Sequence, residues 1–255
     1  CEFEDIRRYP EAVRIVRAAG RAVGLAAIRV VKPGEEGLLK RVADCAPDAV
    51  LVRNLAGLSY FAQEHPGLPL VADYALNVAN ELTAVILAEQ GVVRITPGYD
   101  LNWRQMAAML GRFDAGFFEC VVHQHMPMFH MEHCVFAHTL SDGKDFRDCG
   151  RPCERHRVDL RDRAGVAHPL MADVGCRNTV FNGTAQSAAE FIPRMRSLGV
   201  RHFRVEMLRE EADAVGPLLD EYSRLIALEA QGRAVVRKLR VLNQLGVSAG
   251  TLDWE

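Results

Sequence analysis

Nowhere does the sequence hold an apolar run approaching the roughly 20 residues of a membrane-spanning helix. It lacks a dominant charge sign as well. With a net charge of -2, no overall field recruits nucleic acid or an anionic membrane. No secretory leader is visible, because the start "CEFEDIRRYP" is acidic and mixed. The chain also has no initiator methionine, so its first residue reads as a cut inside a longer protein. No H-E-x-x-H is present, and "HMEHC" has the wrong spacing for that zinc-protease motif. No C-x2-C pair occurs either, and two such pairs are the usual mark of a structural zinc site.

What remains is an ordinary globular composition, 49% hydrophobic and 25% charged, over 255 residues. That length allows one large domain or two small ones. Seven cysteines are present, an odd number in a chain large enough to build a core without staples. This argues against a secreted disulfide scaffold and for a reducing compartment, here expected to be the cytoplasm. Four of the seven, Cys134, Cys149, Cys153 and Cys176, fall close together.

Strand-like and helix-like segments alternate through the first 120 residues. Apolar, β-branched runs at 22–31, 48–54, 68–76, 92–98 and 117–124 read as buried strands. Between them, "GEEGLLKRVADCA", "LAGLSYFAQEH", "NVANELTAVILAEQG" and "LNWRQMAAMLGRF" have helical spacing. "CEFED" reads as the tail of a strand and "YPEAVRIVRAAG" as a helix, while Gly91 marks a helix stop. Alternation every 20–25 residues or so means βα units on a parallel sheet. The expected class is α/β, as a TIM-like (β/α) barrel that could be incomplete, with a doubly wound sheet as the other topology.

The alternation breaks at residue 126. "MPMFHMEHCVFAH" (126–138) and the cysteine segment look irregular, and 156–173 holds two alternating runs around "DRAG", the mark of a β-hairpin. Residues 126–183 are therefore read as a cysteine-rich metal-binding insertion. Residues 1–125 and 184–208 form the barrel, including a helix over 184–199 and a strand over 200–208. Residues 209–255 form a C-terminal helical segment, with a long helix over 209–231.

In a barrel the active site lies at the C-terminal strand ends. Those ends carry Arg29, Arg53, Asn54, Asp73, Asn77, Thr96, His123 and His125. Asp73 and Asn77 also suit caps or turns. His123 and His125, two apart and so on one face of a strand, are candidate acid–base groups. Asp73 joins them as a catalytic candidate, and Arg29, Arg53 and Asn77 as substrate contacts. Arg29, Asp73, Asn77, His123 and the clustered cysteines are expected to face one cavity.

The clustered cysteines are spaced C-x14-C-x3-C-x22-C among Asp, Arg, Lys and Gly rather than Val and Leu. Thiolates bind zinc or iron–sulfur clusters. Neither the standard zinc spacing nor the ferredoxin spacing fits, so spacing alone says "metal" and does not choose. Arg147, Arg151, Arg155 and Arg177 flank the thiols. Their charge would favour thiolates. Cys120 reads as a strand residue.

The blocks "DAVLVRNLAGL", "LVADYALNVANELTA", "RITPGYDLNWRQM", "VVHQHMPMFHMEHC", "RDCGRPC" and "LMADVGCRNTVFN" resemble, in this order, peptidase family U32, the collagenase-like family. The resemblance covers about residues 2–208. Members most similar in these blocks are implicated in oxygen-independent hydroxylation of an RNA base or the ubiquinone precursor ring. The resemblance implies a [4Fe-4S] cluster on Cys134, Cys149, Cys153 and Cys176, with zinc as the alternative metal. RNA or a small aromatic is the implied substrate. Many members carry a G-x-x-C element shortly before the first of these cysteines, and here Pro127 and Met128 stand near it. The other readings are a collagenase-like peptidase and a non-catalytic module with a structural metal.

Overall fold

The computed structural model describes residues 1–242 and 247–253. The first part alternates as expected: α1 (Tyr9–Ala18), β1 (Gly24–Ala26), α2 (Glu36–Asp44), β2 (Ala49–Val52), α3 (Leu55–Glu64), β3 (Leu70–Ala72), α4 (Glu81–Glu89), β4 (Val92–Ile95), α5 (Trp103–Leu110) and β5 (Glu119–Gln124). Side-chain caps set several helix starts. Asn54, Asn80 and Asn102 each accept a backbone N–H three residues on. Gln105 completes a capping box with Asn102. Gly91, with φ at +83°, ends the α4 turn as the sequence suggests.

Strands β1 to β4 form a parallel sheet in chain order. Leu25, Val50, Val52, Ala72 and Ile95 have essentially no exposure, which accounts for the continuous apolar runs. Residues 1–3 extend the array in parallel sense beside β1: Cys1 N–H donates to the Gly24 carbonyl and Ala26 N–H to the Cys1 carbonyl. A parallel bridge from Ile95 to Phe118 carries the array on to β5.

After β5 the chain leaves the βα pattern, through β6 (Pro127–Met131), α6 (Val135–Leu140), β7 (Val158–Arg161), β8 (Ala167–Asp173) and β9 (Arg177–Phe181). These strands make a separate antiparallel sheet in the order β6-β9-β8-β7. The expected hairpin is β7–β8. Its "DRAG" turn closes with Val166 N–H on the Asp162 carboxylate at 2.8 Å and Gly165 at φ +86°. Of the residues read as irregular, Pro127–Met131 are strand β6 and Val135–Leu140 are helix α6. The β6 pattern is hidden because the strand is half-buried throughout, with Phe129 exposed.

The chain returns through β10 (Ala185–Ser187), α7 (Ile192–Ser197) and β11 (His202–Val205), followed by α8 (Ala212–Ile226), α9 (Gly232–Leu242) and β12 (Val247–Ser248). The helix expected over 184–199 shrinks to α7. Pro193 suits only a first turn, and the residues before it pair antiparallel with β5. The helix expected over 209–231 is shorter as well; Leu228, at φ +63°, turns the chain out of it. The segment beyond 209 is not purely helical, because β12 pairs in parallel with β10.

β11 pairs in parallel with β5. The array is α/β and mainly parallel, and among the described residues no backbone bond joins β11 to residues 1–3. No helix of the described residues is long and apolar enough to cross a membrane. The main core spans the parallel array and its helices, and Phe136, Leu170 and Val180 form a second, small core in the antiparallel sheet.

Candidate functional site

Charged side chains meet at the C-terminal ends of the parallel strands. Arg53, 6% exposed at the end of β2, holds the Glu2 carboxylate with both terminal nitrogens at 2.5 and 2.6 Å. Its Nε reaches Asp73 at 3.1 Å. Asp73, 1% exposed, also takes Arg204 Nη2 at 2.8 Å, and Arg204 goes on to Glu119 at 3.1 Å and Glu206 at 3.0 Å. Arg29 reaches Glu2 at 3.3 Å, the Tyr74 hydroxyl at 3.2 Å and Asp173 at 3.5 Å. Arg94 also reaches Glu119, at 3.1 Å, so five carboxyl groups face four guanidinium groups in this network. Burial pushes the Glu206 and Asp173 carboxyls up.

This network walls a cavity of about 230 Å³ whose lining includes Arg29, Arg53, Asp73, Tyr74 and His125. Tyr74 stacks on Tyr99 with ring centroids 3.9 Å apart, and Phe181 adds a second aromatic to the lining. His125 Nδ1 lies 2.7 Å from the Asn182 carbonyl, which fixes the N–H there. Its Nε2 is then free as an acceptor, 3.9 Å from Glu210.

A second cavity of about 580 Å³ is lined by Cys134, Cys149, Cys153 and Cys176. They come from three segments: the start of α6, the loop after it, and the β8–β9 turn. Ala137 N–H donates to Cys134 Sγ and Arg151 N–H to Cys149 Sγ, both at 3.4 Å. Two loops reach the cavity through left-handed pairs, Gly150–Arg151 and Gly175–Cys176. Burial pushes the Cys153 thiol up to about 11 and the Cys176 thiol up as well.

Four thiols with amide donors suit a group that binds thiolates. Among the described residues, no three or more His, Cys, Asp or Glu side chains converge on a position for a single ion.

The single cavity expected from sequence is divided, with His123 lining a third, small one of about 50 Å³. Arg29, Arg53, Asp73 and His125 share the rim cavity, and the cysteines share the second. Asn77 lines neither. It is an exposed left-handed turn residue at φ +54°. Asp73 is no cap, since its carboxylate is taken by arginines. Asn54 is a cap, and its amide also ties down the Ile28 and Arg29 carbonyls. His123 does not share a face with His125. Its ring turns to the Tyr222 hydroxyl at 3.1 Å, which contacts Ser187 Oγ at 2.7 Å, and burial pulls its pKa down to about 4. Cys120 is buried in the main core, with its thiol pushed up to about 12 by burial. Of the flanking arginines, Arg147 and Arg155 are exposed, Arg151 pairs with Asp5 and Glu154, and Arg177 is buried against Glu35 and Glu132.

Sequence reading missed Glu2, Tyr74, Asp173, Arg204 and Glu206. The last two stand in alternation in "HFRVE", the one signal available for them. It also passed over "GVSAG" at 246–250, which satisfies G-x-S-x-G. Gly246 lies outside the described residues. Ser248 is exposed on β12, and a short 3₁₀ turn (Gly250–Asp253) follows instead of the helix a nucleophile elbow requires.

A family model described as peptidase family U32 matches residues 2–247. Among solved structures the chain is similar to the U32 peptidase Mk0906, with 16% identity and a TM-score of 0.39, over 48% of this chain and 53% of that one. It is also similar to a structure assigned to the copper homeostasis protein CutC from Streptococcus agalactiae, with 16% identity and a TM-score of 0.38, over 46% and 69% of the two chains. This chain thus spans about half the length of the first. No curated protein matches it.

Proposed function

The chain belongs to peptidase family U32, and we propose that it is an iron–sulfur protein supporting oxygen-independent hydroxylation of an RNA base or an aromatic precursor. One observation carries this reading: four thiols from three separate segments line one cavity beside a polar, aromatic-walled cavity at the strand ends. Cys134, Cys149, Cys153 and Cys176 would hold a [4Fe-4S] cluster, which supplies one-electron redox chemistry when bound.

The chain's own residues shape the rim cavity for a ring. An apolar cavity of about 150 Å³ is enough to take benzene, so about 230 Å³ accommodates one substituted ring. An RNA base would enter only if turned out of its stack. Tyr74 and Phe181 offer apolar ring faces, Arg29 a cationic edge, and His125 Nε2 a proton acceptor. A peptidase needs an activated nucleophile. Neither Cys120, with its raised thiol pKa, nor Ser248, with no histidine bonded to it among the described residues, supports that reading.

Anaerobic iron and sulfide analysis of a cysteine series tests the proposal. Replacing Cys134, Cys149, Cys153 or Cys176 by Ala should each remove most of the iron and the brown colour, whereas Cys45→Ala and Cys120→Ala should leave both intact. Full iron retention in Cys176→Ala would overturn the ligand set and point to His133 or His138, whose rings lie 5.1 Å apart. A colourless protein carrying zinc would instead favour a structural metal.

A further inference from the structure

The wall between the two cavities is an ion pair. Arg29 lines the rim cavity, and Asp173 lines the cysteine cavity. Arg29 Nε and Asp173 Oδ2 stand 3.5 Å apart, with the two side chains only 11% and 9% exposed. The contact is loose for so buried a pair. Arg29 Nε makes no hydrogen bond at all. Asp173 Oδ1 accepts the Val174 N–H at 2.7 Å, but Oδ2 has only Arg29 at 3.5 Å and His130 Nδ1 at 4.0 Å. His130 Nδ1 lies 2.9 Å from Thr179 Oγ1, and among the described residues its buried Nε2 has no partner. Asp173 ends β8, three residues before Cys176. Arg29 follows β1 and is held further only by Tyr74 and Glu2.

We propose that Arg29 and Asp173 form a coupling pair, so that an anionic group entering the rim cavity draws Arg29 off Asp173 and leaves that carboxylate facing the cysteine pocket. Asp173 is then a positioning residue that acts through Arg29. Two features make the pair suited to this. Its contact is long enough to be exchanged for a closer one when the Arg29 side chain moves. Its members also front different cavities, so a change on one side is felt on the other. Coupling of this kind is reciprocal: what the cysteine pocket holds must alter anion affinity at the rim by the same factor. The inference rests on the reading of the cysteine pocket as a cluster site, and it assigns a function to two residues which that reading leaves idle.

Benzoate is the probe, a single ring with one carboxylate, and benzamide is its uncharged counterpart. Binding is followed by calorimetry, and the midpoint potential of the anaerobically purified, iron-loaded protein by redox titration. In the wild type, benzoate should bind and lower the potential, because an unpaired carboxylate near the cluster disfavours the added electron. Benzamide should leave the potential unchanged. Asp173→Asn should still bind benzoate but lose the shift, and Asp173→Glu should regain it. A purely structural role for Asp173 would lower iron content and leave the benzoate shift in the remaining clusters intact. The proposal is overturned if benzoate fails to bind, if saturating benzoate does not move the wild-type potential, or if Asp173→Asn keeps the full shift. Should Asp173→Asn fail to fold, the wild-type titration alone decides. If the protein carries no iron, the cluster reading fails by itself. The pair is then tested by iodoacetamide alkylation of the four thiols, which benzoate should slow; an unchanged rate overturns the coupling.

Discussion

Replacing Asp73 by Asn changes almost nothing but charge. The side chain keeps its volume and its place at the end of β3. It loses the carboxylate that Arg53 Nε meets at 3.1 Å and Arg204 Nη2 at 2.8 Å, at a position 1% exposed. The new amide turns an acceptor oxygen into a donor against at least one guanidinium. Breaking a buried ion pair from one side costs about 3–5 kcal/mol, because the partner charge stays behind. Here the partners are not abandoned. Arg53 keeps Glu2, and Arg204 keeps Glu119 and Glu206. The cost should therefore sit at the low end, about 3 kcal/mol. For a chain of this length each kcal/mol moves Tm by roughly 2 °C, so Asp73→Asn should melt about 6 °C below the wild type. The assay is thermal unfolding by circular dichroism at neutral pH, at low and high salt. Salt should leave the difference unchanged, since buried pairs are poorly screened. A drop below about 2 °C, or one that high salt erases, would refute the claim that the network is a buried, mutually dependent unit. Arg147→Ala, at an arginine 76% exposed beside Asp145, is the control and should not move Tm.

Two further outcomes follow from single residues. Burial holds the His123 pKa near 4, against 6.5 for the free side chain, so the unfolded chain binds its proton first. Stability from this site is full above pH 6.5 and is lost as pH falls towards 4, by up to about 3 kcal/mol; His123→Phe should flatten the wild-type slope in denaturant titrations across that window, and an unchanged slope would remove His123 as its source. A Cβ on Gly143 would stand 2.5 Å from the backbone of Asp148 and Cys149; Gly143→Ala should thus displace the Cys149 loop and lower bound iron with little change in Tm, and wild-type iron content would count against it.

What the sequence disclosed was local. The helix caps at Asn54, Asn80 and Asn102, the stop at Gly91 and the "DRAG" turn each depend on a few adjacent residues, and each can be read in a string. The four cysteines were also legible, because thiols among charged residues have no place in an ordinary core. The rim network was not. Glu2 meets Arg53 across 51 positions and Asp73 meets Arg204 across 131, and in a linear string those charges look like solvated surface. Asn77 misled for the opposite reason, since a polar residue just past a strand serves equally well as a turn former. β10 was hidden because "AQSAAE" suits a helix. It is a strand because Ser187 has Tyr222 to bond and β5 has an edge to fill.

The antiparallel sheet carries the most consequential argument. Its own core is Phe136, Leu170 and Val180, too few apolar side chains to hold some 55 residues in one arrangement unaided. Part of the difference comes from Arg177, buried at 2% exposure, which ties the start of β9 to Glu35 at the head of α2 and to Glu132. Arg209 does the same at the other end, donating to the Val158 and Leu170 carbonyls. The four cysteines line one cavity in this part of the chain, with Cys134 and Cys153 packed against the small core. A group bound by all four thiols would cross-link α6, the 141–153 loop and the β8–β9 turn. Its binding energy would then count as folding energy for this sheet. Loss of the group should therefore loosen the loops around Cys134, Cys149 and Cys176 long before it disturbs the parallel array. Hydrogen exchange measured before and after anaerobic chelation should show protection falling in residues 132–156 and 173–177 and holding in β1 to β4. Uniform loss across both sheets would mean that the thiols stabilise the whole chain rather than the insertion they sit in.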